Sequence, residues 1–521
     1  MYNADLPYES RRSPVSAANL VATSQPLATQ AGIAALRSGG NAVDAALATA
    51  ITLTVVEPNN NGVGSDAFCI LWDGEKLVGL NASGRSPEAW TLERFQNLSS
   101  MPVLGWDAVT VPGCVSAWVA LSKRYGKLPF ESLFEAAIHY AEEGFHVGPK
   151  SAHYWQLLRS QYEKFPDFVE HFHPPPSAGQ RFKRPDLART LRIIAESEGE
   201  AFYRGELADA MDESSRKQGG ALRRSDLEAH EADWLDPVAQ TYRGVSLHEI
   251  PPNGQGLAAQ ISLGILQHLS PAEVDSPEWV HQQVEAMKIA IRAAFDHFAD
   301  PRAMRVSPEE LLEPGMLEQM AAQISSEASP LPPKQLPVGE DTVYLTTADD
   351  SGMMVSYIQS NFMAFGSGIV IPGTGISMQN RGAGFVLDPD HPNCVGPGKR
   401  PFHTIIPGFV TQGGAPRMSF GVMGGHMQHQ GHVQMVTRMF DHGQNPQAAS
   451  DAPRWHLYPD FKLGLETGYP EDVLRALAAK GHDVRMEAEE HVFGGAQLIL
   501  RLEDGYVGGS DHRKEGQVSG F

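Results

Sequence analysis

Hydrophobic residues recur with a helical period over residues 28–57. Alanine, valine, leucine and isoleucine return every three or four positions, and a Ser-Gly-Gly-Asn stretch at 38–41 interrupts them as one helix end and a new helix start. Two apolar runs follow at 67–72 and 76–82, joined by an Asp-Gly-Glu sequence that is typical of a β-hairpin. This part of the chain therefore predicts two helices packed against a sheet.

The middle of the chain changes its pattern. Residues 115–330 favour mainly helices joined by polar loops; examples are 115–124, 133–143, 185–197 and 279–298. The stretch 327–340 differs because it carries four prolines and no hydrophobic periodicity. We therefore expect an exposed linker or tail there.

Beyond residue 341 the pattern becomes that of a sheet. Runs rich in β-branched and aromatic residues predict strands at 342–347, 353–360, 404–411 and 418–422. Gly424-Gly425 opens a helix that continues to about residue 440, and 495–501 with 505–508 predicts a final hairpin. Helices, strands, and then strands and helices again predict a layered α/β or α+β body.

Composition narrows the class of protein. The 521 residues are 42% hydrophobic and 20% charged, which is typical of a globular chain with a large core. Acidic residues number 62 against 41 basic ones, a net charge of −21, so binding to nucleic acid or to an anionic membrane is not expected. Cys69, Cys114 and Cys394 are too few for a disulfide framework or zinc cluster, and we expect buried or incidental thiols.

No segment has the pattern of a membrane span or an export signal. The sequence lacks a run of about 18 apolar residues, and the Arg11-Arg12 pair is not followed by a hydrophobic stretch. We therefore expect a cytoplasmic protein without a membrane partner.

Thr342 lies where the proline-rich stretch meets a predicted strand. A threonine in a strand is ordinarily a β-forming residue, and composition alone favours that interpretation. A cut before Thr342 would give it a second role, because the new α-amine has a pKa near neutrality and can accept the Oγ proton. Nucleophile and base would then belong to one residue.

Two glycine-rich segments are candidates for backbone chemistry. Gly424 and Gly425 precede a helix, where free N–H groups and the helix dipole could form an oxyanion hole; alternatively they are only a tight turn. The loop 365–376 lacks the Gly-Lys-Ser/Thr ending of a phosphate-binding loop, so we interpret it as structural.

Three histidines follow the glycine pair at a spacing of three residues. Positions His426, His429 and His432 drift around a helix, and the acidic or additional ligands of a metal site are absent from the motif. We therefore expect no metal, and we predict that His426 lines a pocket beside the glycine turn.

These features occur together in one known family. The sequence resembles the γ-glutamyltransferase family of N-terminal-nucleophile hydrolases over nearly its whole length. The segments that carry the resemblance are 26–46, Val56-Glu-Pro, Val111-Pro-Gly-Cys-Val-Ser-Ala-Trp, 123–129, Ala141-Glu-Glu-Gly-Phe, the Thr342 strand, 365–375, Lys399-Arg-Pro, Met423-Gly-Gly and Ala452-Pro-Arg.

The resemblance implies a fold and a set of roles. The fold would be a four-layer αββα sandwich of the α+β class, made by self-cleavage between Asp341 and Thr342 into an α fragment, 1–341, and a β fragment, 342–521. No cofactor is implied, and a dimer of αβ units stays open. The residues implied to act on the substrate are the oxyanion glycines Gly424 and Gly425, a hydroxyl contacting the nucleophile at or beside Ser360, and a substrate-contacting asparagine near Asn361.

The departures from the family pattern concern the substrate. An acid before Phe385 grips the substrate ammonium in γ-glutamyl enzymes, but Gly384 stands there in this chain and Arg381 lies three residues earlier. Without that acid an ammonium would be poorly paired, whereas an arginine offers a bidentate fork to a carboxylate.

Other positions of the substrate site also differ. The tandem serines after Lys-Arg-Pro become His403-Thr404, and the carboxylate-binding arginine is shifted to Arg85. The sequence is therefore similar to the oxamate amidohydrolase branch, which hydrolyses oxamate to oxalate and ammonia in purine breakdown. We predict that Arg381, with Arg85 as a second candidate, holds the carboxylate. A γ-glutamyl hydrolase or transferase, and an uncut binding protein that keeps only the fold, are the alternatives.

Overall fold

The structure is a computed structural model that describes residues 12–330 and 341–521, and for Asp341 only the backbone. The described residues form two seven-stranded antiparallel sheets, three small sheets and helices that cover both large sheets. The α-helices are α1 Pro26–Arg37, α2 Ala42–Val56, α3 Cys114–Tyr125, α4 Glu135–Glu143, α5 Pro149–Leu158, α6 Pro166–Phe172, α7 Pro185–Glu196, α8 Glu200–Arg204, α9 Glu206–Lys217, α10 Arg224–Glu228, α11 Gly256–Leu266, α12 Pro277–His297, α13 Pro308–Leu311, α14 Pro314–Ala321, α15 Met427–Phe440, α16 Pro446–Asp451 and α17 Glu471–Ala479.

The strands alternate with these helices along the chain. They are β1 Val15–Ala17, β2 Leu20–Thr23, β3 Asp66–Trp72, β4 Leu77–Asn81, β5 Phe145–His146, β6 Arg181–Phe182, β7 Asp233–Leu235, β8 Val238–Tyr242, β9 Val245–Glu249, β10 Asp341–Ala348, β11 Met354–Phe362, β12 Val370–Ile371, β13 Ile376–Ser377, β14 Gly408–Gln412, β15 Ala415–Met423, β16 Trp455–Leu457, β17 Leu463–Glu466, β18 Val484–Glu487, β19 Gly495–Arg501, β20 Tyr506–Ser510 and β21 Gln517–Gly520.

Three apolar cores separate four layers. The first sheet has the strand order β21-β2-β10-β11-β3-β4-β7 and the second β1-β20-β19-β15-β14-β9-β8. Residues of both sheets, such as Phe68, Tyr344 and Phe409, form the core between them. A second core joins the first sheet to helices that include α2, α3, α4 and α7, and a third joins the second sheet to α11, α12 and α15. This arrangement is the predicted αββα sandwich.

The first two helices form as their sequence predicts. The side chain of Asn41 accepts the N–H groups of Val43 and Asp44, and the Asp44 carboxylate accepts the Asn41 N–H, which makes a capping box at the start of α2. Gly39, at φ +92°, ends the preceding helix in a conformation that favours glycine. The two helices then pack on the first sheet and on each other.

The structure corrects two of the secondary-structure expectations. The region 115–330 is mainly helical, but it also contains β7, β8 and β9, which extend one edge of each large sheet. The strand expected at 404–411 begins only at Gly408. Residues 404–406 instead bond to side chains of other elements.

The proline-rich stretch is described only in part. Residues 331–340 lie outside the described residues. Before them, the backbone N–H of Ala328 donates to the Lys480 carbonyl and that of Ser329 to the Glu285 carboxylate. The first part of the expected linker is therefore fastened to α12 and to the loop after α17.

Candidate active site

Thr342 lies at the start of β10, in the middle of the first sheet. Asp341 pairs with Phe362 of β11 and Val343 with Gln359, so one residue of β10 faces two residues of β11. This is a bulge, a local irregularity that turns side chains out of the regular alternation of a strand. It brings the Thr342 side chain against Ser360.

Buried hydroxyl and amide groups surround the Thr342 hydroxyl. Its Oγ1 donates to Ser360 Oγ at 3.1 Å, and Gln428 Nε2 donates to the same Oγ1 at 3.4 Å. Ser360 Oγ also accepts the N–H of Phe362 at 2.8 Å. Thr342, Ser360 and Gln428 are all buried. The hydroxyl is thus held in one direction by neighbours from β11 and α15, as a nucleophile requires.

Gly424 and Gly425 form the turn between β15 and α15. Both have positive φ, +128° and +54°, and a Cβ on Gly424 would lie 2.9 Å from the Cα of Gly494. Their carbonyls accept the N–H groups of Met427 and Gln428. Among the described residues no acceptor takes the N–H of either glycine. Two unused donors at a helix start suit the stabilisation of an oxyanion.

Arg381 is fully buried. It begins a single 3₁₀ turn, Arg381–Gly384, and its Nη1 donates to Thr404 Oγ1 at 2.8 Å. The guanidinium carbon lies 4.1 Å from the ring centre of Phe362, next to the bulge. Its Nε and Nη2 find no acceptor among the described residues. Burial lowers the pKa of Arg381 to about 9, although Asp66 opposes this shift.

Asp66 and His403 lie beside the guanidinium as a buried pair. Asp66 Oδ2 lies 3.1 Å from His403 Nε2, and its Oδ1 accepts the N–H groups of Gly84 and Gly113. Burial raises the pKa of Asp66 to about 7, with Arg381 acting against the shift. Burial, helped by the charge of Arg381, moves the pKa of His403 well below its usual range. His403 is therefore neutral, with Nε2 as donor and Nδ1 accepting the Ile405 N–H.

Asn361 adds a further donor to this region. Its Oδ1 accepts Ser65 Oγ at 2.8 Å, while its Nδ2 is buried without an acceptor among the described residues. Its neighbours in sequence, Ser360 and Phe362, contact Thr342 and Arg381 respectively. The site therefore combines one buried threonine hydroxyl with several buried donors that lack acceptors among the described residues.

Comparison with known proteins decides the family. The sequence profile described as Gamma-glutamyltranspeptidase matches residues 28–521. The chain belongs to the gamma-glutamyltranspeptidase family.

Relatives in this family carry different substrate names. The chain is 35% identical to a glutathione hydrolase-like YwrD proenzyme of Bacillus subtilis, over 98% of this chain and 100% of the relative. It is also 35% identical to an oxamate amidohydrolase proenzyme of Klebsiella pneumoniae, over 98% of this chain and 99% of the relative. A cephalosporin acylase structure from Bacillus halodurans superposes with a TM-score of 0.96 at 45% identity, over 100% of this chain and 99% of the acylase chain. The chain is an amide-bond hydrolase with the N-terminal-nucleophile fold of these relatives, and its substrate has to be inferred from the site.

The gamma-glutamyltranspeptidase family position before Phe385 has no room for an acid in this chain. A Cβ added to Gly384 would lie 2.4 Å from the carbonyl oxygen of Phe402, a backbone atom that cannot move aside on its own. The Asn393 side chain further fastens this loop, since its amide donates to the Gly384 carbonyl and its oxygen accepts the Phe402 N–H. The glycine that stands at position 384 in place of the family's acid is therefore required by the position of the Phe402 carbonyl.

Arg85 has protein partners of its own. Its Nη1 donates to Asp300 at 3.0 Å and its Nη2 lies 3.7 Å from Asp233, with about a third of the side chain exposed. Arg381 has no such carboxylate within bonding distance among the described residues. The role of Arg85 as a carboxylate ligand stays a prediction, with Asp300 already beside its charge.

The three histidines after the glycine pair lie in different surroundings. His426 is the N-cap residue of α15, next to the turn formed by Gly424 and Gly425. His429 is buried, and His432 bonds through Nδ1 to Glu249 at 2.6 Å in the core below the helix. Contact of His426 with a substrate stays a prediction.

One cluster of potential metal ligands occurs elsewhere among the described residues. His281, Glu285 and His482 place their ligand atoms within 4.8 Å of one another. The two imidazoles already share a bond of 2.8 Å, and Lys288 Nζ donates to Glu285 Oε1 at 2.7 Å. An ammonium thus takes the place that a cation would need, and we assign no metal to this cluster.

Three residues of this region were not predicted from the sequence. They are Asp66, Gln428, and Gln255, whose Nε2 donates to the carbonyls of Thr404 and Gly425. Asp66 offered a signal, because it directly precedes the apolar run 67–72, and an acid that is buried with such a run must be paired. The two glutamines offered none, since their partners lie far away in sequence.

No helix among the described residues is both long enough and apolar enough to cross a membrane.

Proposed function

We propose that this chain is a self-processing amidohydrolase that cleaves the amide of a small carboxylated substrate, with oxamate as the preferred candidate. The observation that carries the proposal is the buried guanidinium of Arg381, which keeps Nε and Nη2 unused beside the nucleophile's strand. A carboxylate would accept both groups in a bidentate pair and would neutralise a charge that burial otherwise penalises.

Self-processing would create the active nucleophile. Several relatives are named proenzymes, which supports a cut in this chain as well. We place it between Asp341 and Thr342, giving the fragments 1–341 and 342–521. The Thr342 hydroxyl would attack the Asp341 carbonyl, and the peptide C–N bond would break to form an ester and free the α-amine. Water would then hydrolyse the ester and release the Asp341 carboxylate and the Thr342 hydroxyl.

The reaction then follows from the groups at the bulge. The α-amine of Thr342 takes the Oγ proton while Oγ attacks the amide carbon, and the oxyanion accepts the N–H groups of Gly424 and Gly425. The C–N bond breaks, and the proton on the amine passes to the leaving ammonia. Water next attacks the ester and gives a proton to the α-amine, the acid departs, and Oγ regains its proton.

The hydrogen-bond donors and acceptors of the site favour a substrate that is a carboxylic acid without an amino group. Arg381 and Asn361 offer hydrogen-bond donors to the site, and the Thr404 hydroxyl is already bonded to Arg381. The Asp66 carboxylate already accepts three hydrogen bonds. The position of the family acid, Gly384, cannot take a side chain. A substrate ammonium would therefore face the Arg381 cation without a free carboxylate.

The alternative is a γ-glutamyl hydrolase or transferase. It is favoured by the name of the YwrD relative, which has the same identity as the oxamate amidohydrolase relative. The site argues for oxamate, since the carboxylate described beside Arg381, that of Asp66, already accepts three hydrogen bonds and would be poorly available to the ammonium of glutathione.

Two measurements test the proposal. On a denaturing gel the wild type should give two fragments, and Thr342→Ala should give one uncut chain without activity. Ammonia release from oxamate should exceed both glutamate release from glutathione and ammonia release from oxamide, which lacks the carboxylate. An uncut but active wild type would overturn the mechanism, and a preference for glutathione would overturn the substrate.

A further inference from the structure

Gln255 is a buried residue between the two functional ends of the site. It is the N-cap residue of α11 and lies in the segment Pro251-Pro-Asn-Gly-Gln. Its Nε2 donates to the carbonyl of Thr404 at 2.6 Å and to the carbonyl of Gly425 at 2.9 Å. One side-chain amide therefore contacts both the residue that holds Arg381 and the second glycine of the oxyanion turn.

The backbone around Gln255 is fastened to the same segment. Its N–H donates to the His403 carbonyl at 2.9 Å, and the His403 N–H donates to the Asn253 carbonyl at 2.9 Å. The side chain thus extends from a fixed base on the His403-Thr404 side toward Gly425. The Thr404 and Gly425 carbonyls lie only a few ångströms apart, because both contact the same nitrogen.

The glycine turn needs such a contact. Gly424 and Gly425 lack a Cβ and adopt positive φ, so side-chain packing does little to fix the direction of their N–H groups. An oxyanion hole works only when its donors point at the developing charge before the reaction begins.

We propose that Gln255 is a positioning residue that sets the oxyanion turn at a fixed distance from the carboxylate subsite. It would act through Thr404 and Gly425 and would not touch the substrate. This proposal rests on the proposed function, and it favours acyl groups in which the carboxylate lies close to the amide carbon, as in oxamate.

The same helix provides a matched control. Gln260 is also fully buried, and its Nε2 donates to the carbonyls of Val238 at 2.6 Å and Leu247 at 3.0 Å. The Oε1 atoms of both glutamines lack a donor among the described residues. Gln260 differs in that it lies inside the helix and that its partners are on β8 and β9, at the edge of the second sheet and away from the site.

The first experiment compares Gln255→Met with Gln260→Met in the full chain. We measure self-cleavage on a gel, and then kcat and KM for the amide that the wild type hydrolyses. A displaced reacting group costs about 100-fold in rate. We therefore expect Gln255→Met to lower kcat by about 10- to 100-fold, more than it changes KM, and Gln260→Met to keep the wild-type constants. Equal kinetic constants for the two variants, at any stability, would overturn the proposal.

A second variant covers the case in which Gln255→Met does not fold or does not cut itself. In Gln255→Glu an ionised carboxylate would repel both carbonyls, whereas the protonated form can donate to one of them. The ratio of its kcat to that of the wild type should rise as the pH falls. A ratio that stays constant with pH would contradict a positioning role, because loss of packing alone has no reason to follow that titration.

The failure of this proposal is distinguishable from that of the proposed function. If the wild type cleaves glutathione and not oxamate, the substrate assignment fails, and the two glutamine variants are compared with glutathione instead. If the wild type prefers oxamate but Gln255→Met matches Gln260→Met, only the positioning role fails.

Discussion

Two fully buried arginines of this protein have opposite surroundings. Arg454 bonds to the Asp511 carboxylate and to the carbonyls of Ser450 and Phe493. Arg381 bonds to a neutral hydroxyl, and two of its nitrogens have no acceptor among the described residues. Arg454 Nε also lacks an acceptor among the described residues, but Asp511 pairs with both Arg454 and Arg513, whereas Arg381 has no carboxylate within bonding distance in the described part of the chain.

The carboxylates near these two arginines also differ, because their pKa values are shifted in opposite directions. Arg454 and Arg513 hold the pKa of Asp511 well below its usual range despite complete burial. Asp66 has a pKa raised to about 7, because burial outweighs the more distant charge of Arg381. The comparison teaches that one network already contains its carboxylates, whereas under the proposed function the other would be completed by the carboxylate of the substrate.

The strongest test of this difference removes the cation of the site. In Arg381→Met we expect kcat/KM for oxamate to fall by about 1,000-fold or more, because the substrate carboxylate would be buried without its partner. The free energy of unfolding should stay unchanged or rise, since Arg381 bonds to the neutral Thr404 hydroxyl, and Asp66, whose pKa is already raised to about 7, can take up a proton when the nearby cation is removed. Ammonia release and denaturant unfolding check both parts, and a variant that keeps oxamate activity would contradict the role of Arg381.

The reverse result is expected for the structural network. Arg454→Met should lower the free energy of unfolding by about 3–5 kcal/mol, because Asp511 would remain buried without one of its cations. Unfolding in urea measures this loss. If Arg381→Met proves the more destabilising of the two, the distinction between the networks is wrong.

A smaller effect is expected when the family acid is restored. Gly384→Asp should destabilise the protein by about 1–3 kcal/mol, because its Cβ would meet the Phe402 carbonyl, and it should not create activity on glutathione. Gly396→Asp is the control, since its Cβ would meet only the flexible end of Lys399 at 3.2 Å. A gain of glutathione hydrolysis in Gly384→Asp would show that the loop adapts to an acid.

The smallest effect concerns pH. The pKa of Asp66 is higher in the folded chain than in the unfolded one, so the folded state binds more protons between about pH 4 and 7. The contribution of Asp66 to the free energy of unfolding therefore falls as the pH rises through this range. The lowered pKa of Asp511 has the opposite sign, and its stabilisation is lost as the pH falls through the acid range. Asp66→Asn should remove a slope of at most about 1.4 kcal/mol per pH unit. Urea unfolding across this range, with the wild type alongside, measures it, and an unchanged slope would contradict the raised pKa.

Local signals predicted the parts of the fold that local contacts specify. The helical period and the Asn41 cap fixed α1 and α2, and the glycine pair marked the end of β15. The short strands β7 to β9 were missed because they are short and half exposed, and their place is set by edges of sheets formed far away in sequence.

The site shows the same division. Thr342, Gly424 and Arg381 were predicted from the sequence, since each stands out in its own segment or in its departure from the family, and their roles stay predictions. The partner of His403, Asp66, lies 337 residues earlier, and the clash that keeps Gly384 a glycine involves the backbone of Phe402. Such relations follow from tertiary packing and leave no pattern in the sequence.

The order of strands has a consequence for the mature enzyme. In the first sheet, strands from before and after position 341 alternate as β21-β2-β10-β11-β3, and in the second sheet β1, β8 and β9 flank strands of the later part. If the chain is cut there, neither half keeps a complete sheet, and each alone would expose unpaired strand edges. The two polypeptides would form an obligate complex that dilution does not separate, and they would unfold together as a single cooperative unit.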